Sequence, residues 1–196
     1  MRKIVLFILI ICVSKLPIQA QAKTDKIFFI DTHNDVLSKQ IITPVNLAQE
    51  QLETNFDLPK ARRGKLAAQV FSIWCDETFG RGKAYARANE EIDSLYALVK
   101  RNHNEMMLVT SSKGLRKAIK KNKLAALIGV EGGHMIEDRI DYIDGLYNRG
   151  MLYLTLTWNN STSWATSAKD EVTKKILCHL QDFLKRENKL FPILIK

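Results

Sequence analysis

Two short stretches of this 196-residue chain carry side chains of the kinds that hold a divalent cation. In Ile30-Asp31-Thr32-His33-Asn34-Asp35 an imidazole and a carboxylate stand two residues apart, just after the apolar run Ile27-Phe28-Phe29-Ile30. In extended backbone the side chains of residues i and i+2 leave the same face, so a nitrogen of His33 and an oxygen of Asp35 can converge on one point. Both are ordinary ligands for a zinc-like ion. The same spacing also suits an exposed turn with a capping aspartate, and a motif this short does not choose between the two.

The second stretch is Glu131-Gly132-Gly133-His134, which follows the apolar residues 124–130. A carboxylate at the end of a buried strand is costly unless it is paired. Glu131 reads either as a metal-bridging carboxylate facing the same pocket as His33 and Asp35, or as a turn residue bonded to its own loop. His134 reads either as a residue that holds a ligand in place from behind or as a packed histidine with its ring satisfied. Trp158 and Asn159 follow the last apolar run, at pocket positions. Trp74, Trp158 and Trp164 are of the type that builds core or pocket wall. His103 and His179 have no ligand-type neighbour at a useful spacing and read as surface residues.

Three ligands are what a hydrolytic zinc site needs, and a paired site needs more. His33, Asp35 and Glu131 therefore read as an incomplete set. The chain has no Ser-His-Asp order, no glycine-rich phosphate loop and no Gly-x-Gly-x-x-Gly, which argues against serine hydrolases, kinases and dinucleotide enzymes.

Strands must deliver these residues to one place. Residues 27–30 have the length and composition of a buried strand, and residues 67–74 form a second. The polar stretch 38–55 reads as a loop with some helix, ending at Asp57-Leu58-Pro59-Lys60. Residues 83–102 are helical by period, with Ala84, Ala88, Ile92, Leu95, Leu98 and Val99 inward and Glu90, Glu91 and Asp93 on other faces. Residues 106–109 are a short strand-like connection. Ser111 or Ser112 caps a helix running to Asn122. Residues 124–130 are a strand covered on both faces. A helix over 140–148 turns Ile140, Ile143, Leu146 and Tyr147 inward and ends at Gly150. Residues 151–157 are the fourth strand. Alternation of buried strands with helices predicts a parallel sheet with helices outside, and active sites of such folds sit beyond the carboxyl ends of the strands. Four such units are half of an eight-stranded α/β barrel.

The formal charge of +9 falls by three to +6 when Arg2, Lys3 and Lys15 are set aside. Those cations lie in residues 1–22, where a basic start, the apolar residues 4–13 and Ala20-Gln21-Ala22 predict an export signal. Ile11 is bulky before Cys12, so a lipid anchor is not expected. The remaining basic residues are interspersed with acids over most of the chain. The cluster from Arg116 to Lys123 reads as a solvated face, and no nucleic-acid partner is expected. Cys75 and Cys178 alone make no disulfide framework, and Cys75 reads as a buried thiol.

Three separated motifs resemble the membrane (renal) dipeptidase family: Ile30-Asp31-Thr32-His33-Asn34-Asp35, Leu127-Ile128-Gly129-Val130-Glu131-Gly132-Gly133-His134, and Tyr153-Leu154-Thr155-Leu156-Thr157 with Trp164-Ala165. The similarity runs from about Phe28 to about Lys174. It implies a partial (β/α)8 TIM-type barrel, about its first four β/α units. It also implies two zinc ions sharing a glutamate, and water activated by metal attacking the peptide bond of a dipeptide. His33 and Asp35 match ligands of the first zinc, and Glu131 matches the bridging carboxylate. Trp158 stands where many members have a substrate-binding histidine. The histidines for the second zinc, a substrate-binding arginine and an acidic residue have no match here. Residues 176–196 diverge, as a frame-shifted or truncated end would. The expectation is thus a signal peptide over 1–22, the first half of a dipeptidase-like barrel over 23–175 and a divergent tail. This is a periplasmic or extracellular zinc dipeptidase present as an amino-terminal portion, with a dipeptide as substrate and a homodimer held open. The alternative is an exported remnant with no catalysis of its own.

Overall fold

The computed structural model describes residues 28–38, 45–79 and 82–170. The expected leader over 1–22 and the tail over 176–196, with Cys178 and His179, lie outside the described residues. Five strands are present: β1 (Phe29–Asn34), β2 (Leu66–Ile73), β3 (Met106–Leu108), β4 (Leu124–Val130) and β5 (Met151–Leu154). Among the described residues, the α-helices α1 (Leu58–Arg63), α2 (Ala84–Arg101), α3 (Ser112–Lys120) and α4 (Asp141–Asn148) connect or cover them. Every strand pairing is parallel.

β4 is the centre. One of its edges pairs with β2 along Ala125 to Val130. Its other edge takes β3 at Leu124 to Ala126 and β5 at Ile128 to Val130, so β3 and β5 lie end to end. The connected path β1-β2-β4-β5 is an open arc of parallel strands, the portion of an α/β barrel that the sequence predicted, with β3 as a short filler at the amino-terminal end. All carboxyl ends of the arc fall on one edge.

Alternation divides the sheet into two faces. Phe71 and Ile73 of β2 and Ala126, Ile128 and Val130 of β4 pack with the α2 stripe of Ala84, Ala88, Ile92, Leu95 and Leu98. Ile92 and Leu95 have no exposed surface, and each contributes about 2 kcal/mol by burial. On the opposite face, Ala68 and Ala125 meet Val109 and Ala118 of α3. That second cover reaches only the amino-terminal half of the face. Its carboxyl half carries polar groups.

Several expectations are corrected. β1 is exposed along most of its length, with Phe29 and Ile30 more than half accessible. Within the described residues it pairs only with β2, and its apolar side chains are left about half exposed. Tyr147 is exposed rather than inward: α4 buries Leu146, as expected, and the next residue along the helix turns away from the core. β5 ends at Leu154, three residues early, although Thr155 still donates its N–H to the Val130 carbonyl. Gly150 has a φ of +93° just past α4, as its position predicted.

The helix α1, unforeseen, is set up by Asp57. This carboxylate is fully buried and accepts from the N–H groups of Lys60 and Gln51 and pairs with the Lys60 ammonium at 3.1 Å. Burial works to raise its pKa; the two backbone N–H bonds and Lys60 outweigh burial and hold it below the usual carboxylate value. Such a contribution is present above the unfolded aspartate pKa and is lost as pH falls through the lowered folded value. Asp57→Ala is expected to cost about 2 kcal/mol in urea denaturation at pH 7. The gap from wild type should close in acid.

Candidate metal centre

β1 ends on His33 and Asn34, and Asp35 follows directly. Glu131 follows β4, and its N–H donates to the Ile73 carbonyl at 3.0 Å, which continues the β2–β4 ladder by one residue. Sheet hydrogen bonding therefore fixes where both chain segments stop. Ser72, Gly129 and Glu131 share one face by register and alternation.

On that face three donors converge. His33 Nε2 lies 3.2 Å from Asp35 Oδ1 and 3.3 Å from Glu131 Oε2. One donor atom from each residue falls within 4.8 Å of the others, and this is the only such cluster of three or more His, Cys, Asp or Glu among the described residues. The side chains are 44%, 48% and 24% exposed, so the group opens to solvent at the carboxyl edge. Ligands at about 2.0–2.1 Å from a tetrahedral zinc lie about 3.3–3.4 Å apart. The separations of 3.2 Å and 3.3 Å are close to that geometry, and imidazole with two carboxylates is a suitable donor set.

Supporting groups fix two of the ligands. Ser72 Oγ donates to Glu131 Oε2 at 3.3 Å. The His33 N–H donates to Asp31 Oδ1 at 3.1 Å, which shapes the bend at the end of β1. Tyr153 of β5 pairs with Gly129, and its ring lies over that residue, where a Cβ would come within 2.3 Å of Cζ. Its hydroxyl donates to the Thr32 carbonyl at 3.4 Å. Burial, and then the negative charge of Glu131, raise the Tyr153 pKa, so it stays a neutral donor.

The other expected site residues are placed differently. His134 Nε2 donates to the Cys75 carbonyl at 2.9 Å, which tethers the loop after Glu131 to the end of β2. Its Nδ1 is buried with no partner, so one ring nitrogen is satisfied and the other is not. Trp158 packs on Trp74 with ring centroids 4.9 Å apart. The Asn159 carbonyl accepts from Ser167 Oγ, a bond within its own loop. Cys75 is buried, and burial pushes its thiol up to about 12. His103 is exposed.

Sequence reasoning passed over Ser72, Tyr153 and Glu91. Ser72 had a signal, since a hydroxyl near the end of a buried strand needs a partner. Tyr153 had none beyond its place in the third motif. Glu91 of α2 is fully buried, whereas its charge had suggested an outer face.

A sequence model of the membrane dipeptidase family, peptidase family M19, matches residues 18–179. Dipeptidase 3 of Homo sapiens is 34% identical over 157 residues, covering 76% of this chain and 31% of that protein. Dipeptidase 3 of Mus musculus is 36% identical over 146 residues, covering 71% and 28%. Among solved structures, a dipeptidase described as a metallopeptidase of family M19 superposes with a TM-score of 0.61 at 18% identity, covering 71% of this chain and 45% of that one. A metallopeptidase from Rhodobacter sphaeroides, liganded with a phosphinate mimic of the dipeptide L-Ala-D-Ala, gives 0.61 at 16% identity, covering 71% and 47%. The chain thus spans about a third of the length of these sequence relatives and under half of these structural ones.

Proposed function

The chain belongs to the membrane dipeptidase family, peptidase family M19, and on that footing we propose that it contributes to a zinc-dependent dipeptidase. The observation that carries this reading is the convergence of His33, Asp35 and Glu131 at the carboxyl edge of a parallel sheet. A divalent ion held by these groups would supply Lewis-acid polarisation of a peptide carbonyl and lower the pKa of a water molecule. The chain's own part is to hold and orient. His33 at the end of β1 and Asp35 just after it would give two donors, and Glu131 just after β4 would give a carboxylate. Ser72 keeps the Glu131 carboxylate turned toward His33.

The substrate proposed is a dipeptide, in keeping with the ligand of the Rhodobacter sphaeroides relative. Export is proposed from residues 1–22. No helix among the described residues is long and apolar enough to cross a membrane.

Calorimetric titration of the purified chain with zinc tests the reading. One ion per chain is expected, with binding lost in His33→Ala. Hydrolysis of a dipeptide panel containing L-Ala-D-Ala should be zinc-dependent, removed by a chelator and restored by zinc. Turnover by this chain alone should be low, because its described residues offer three donors where the family resemblance implies two ions. Zinc binding that survives His33→Ala would overturn the assignment.

A further inference from the structure

Glu91 has no place in the chemistry above, yet it is the most deeply buried carboxylate near it. It lies on α2 with no exposed surface. Its Oε2 accepts the Trp74 N–H at 2.8 Å, and its Oε1 is 2.9 Å from Ser38 Oγ. Ser38 Oγ is also 2.6 Å from the Trp74 carbonyl oxygen. A serine hydroxyl has one hydrogen. A carbonyl can only accept, so at the shorter distance that hydrogen belongs to Trp74. Ser38 Oγ then faces Glu91 Oε1 with a lone pair, and the contact is a hydrogen bond only if Glu91 carries the proton.

We propose that Glu91 is a positioning residue whose protonated carboxyl closes a three-membered ring of hydrogen bonds that clamps the segment after Asp35 to the end of β2. The Glu91 O–H donates to Ser38 Oγ, the Ser38 O–H donates to the Trp74 carbonyl, and the Trp74 N–H returns to Glu91 Oε2. The ring joins three elements. Ser38 follows Asp35 by three residues, Trp74 directly follows β2, and Glu91 belongs to α2. It satisfies both backbone groups of Trp74, whose indole packs against Trp158. The inference rests on the reading of His33 and Asp35 as ligands, because their placement is what the clamp serves.

The charges around Glu91 agree. Arg87, one turn earlier on α2, brings Nε to 3.5 Å from Oε1, yet that Nε is buried without a hydrogen-bond partner. Arg87 is shared with Glu90 and the Ser38 carbonyl and stacks near Phe79. Asp35 acts on Glu91 from the β1 exit and disfavours a second negative charge, and Cys75 beyond β2 is a neutral thiol. Burial above all, with Asp35 adding, raises the Glu91 pKa to about 7 against the opposing pull of the Trp74 N–H, Ser38 and Arg87. A carboxyl with a raised folded pKa makes the folded state bind more protons. Stability then falls as pH rises from the unfolded value of 4.5 through about 7.

The test compares wild type, Glu91→Gln, Glu91→Ala and Ser38→Ala in the full chain. Gln keeps both bonds with no charge, its amide N–H donating to Ser38 and its oxygen accepting from Trp74. In chelated buffer the wild-type melting temperature should fall between pH 5 and pH 8, and that of Glu91→Gln should stay level. In a cobalt titration at pH 6, where the wild-type carboxyl keeps its proton, Glu91→Gln should bind about as tightly as wild type. Ser38→Ala opens the ring three residues from Asp35 and should lose up to about tenfold, the low end for groups that orient ligands. Glu91→Ala should lose more or fail to fold, and the other two variants decide without it. A pH slope in Glu91→Gln equal to wild type, or cobalt loss in Glu91→Gln as large as in Ser38→Ala, would overturn the proposal. The chelated melts read the clamp without metal. Cobalt binding unaffected by His33→Ala would instead overturn the metal reading.

Discussion

Glu131→Ala is expected to weaken zinc binding by more than about 100-fold, since loss even of a residue that only supports a ligand costs 10- to 100-fold. Two donors would remain, His33 and Asp35, on a rim where both are nearly half exposed. Neither is held by β4, so nothing would fix them against an ion on the side that Glu131 closes. Glu131→Gln separates charge from shape. It keeps a carbonyl oxygen near His33 and loses the negative charge, so its loss should fall between wild type and Ala. Ser72→Ala removes only the hydroxyl behind Glu131 and should cost about tenfold. Calorimetry with zinc on the four proteins reads the series. Equal affinities in wild type and Glu131→Ala would mean that the 3.3 Å approach of His33 to Glu131 is an ion pair with no further use.

The legible parts of this chain were those where local pattern and tertiary demand agree. Residues 124–130 read as a doubly covered strand and form one, because an apolar run between two neighbouring strands has no polar alternative. His33, Asp35 and Glu131 could be singled out because polar ligand types stand at strand ends, and the parallel sheet brings those ends to one edge. Glu91 shows the limit. It stands three residues after Ala88 and four before Leu95, on the stripe itself, yet as a charged residue it reads from sequence as belonging to another face. Only the Trp74 N–H, the Ser38 hydroxyl and a raised pKa resolve that conflict, and none is visible in one dimension. The exposure of β1 was hidden for another reason. Ile27-Phe28-Phe29-Ile30 has a buried strand's composition, but burial belongs to the neighbours, and the described residues supply β1 with one strand only.

Gly133→Ala is expected to be the most damaging of the single-methyl additions considered. A Cβ there would lie 2.5 Å from the Leu156 carbonyl oxygen and 2.5 Å and 2.6 Å from Cζ2 and Cη2 of the buried Trp164. Neither neighbour can step aside easily. Leu156 is the residue to which Gly133 donates its own N–H, and Thr155 beside it is bonded to Val130. Trp164 is 3% exposed. Overpacking costs 1–3 kcal/mol and sometimes more, and a clash with backbone belongs at the upper end, about 3 kcal/mol. For a chain of this size that lowers the melting temperature by roughly 6–12 °C. The control is Gly114→Ala in α3, where the nearest atoms are Val109 Cγ1 at 3.3 Å and Ser111 Oγ at 3.4 Å. Those are side-chain atoms that need give way by only a few tenths of an ångström, and alanine favours the helix by up to about 1 kcal/mol. Gly114→Ala should therefore melt near wild type. The two variants add the same methyl group, so the difference between them reads the fit of the loop after Glu131. Zinc affinity should fall with stability in Gly133→Ala, because Glu131 is two residues away and its place depends on that loop. Equal melting temperatures for the two variants would show that the chain after β4 is not packed as tightly as the Leu156 and Trp164 contacts imply, and that Glu131 is placed by the β2–β4 ladder alone.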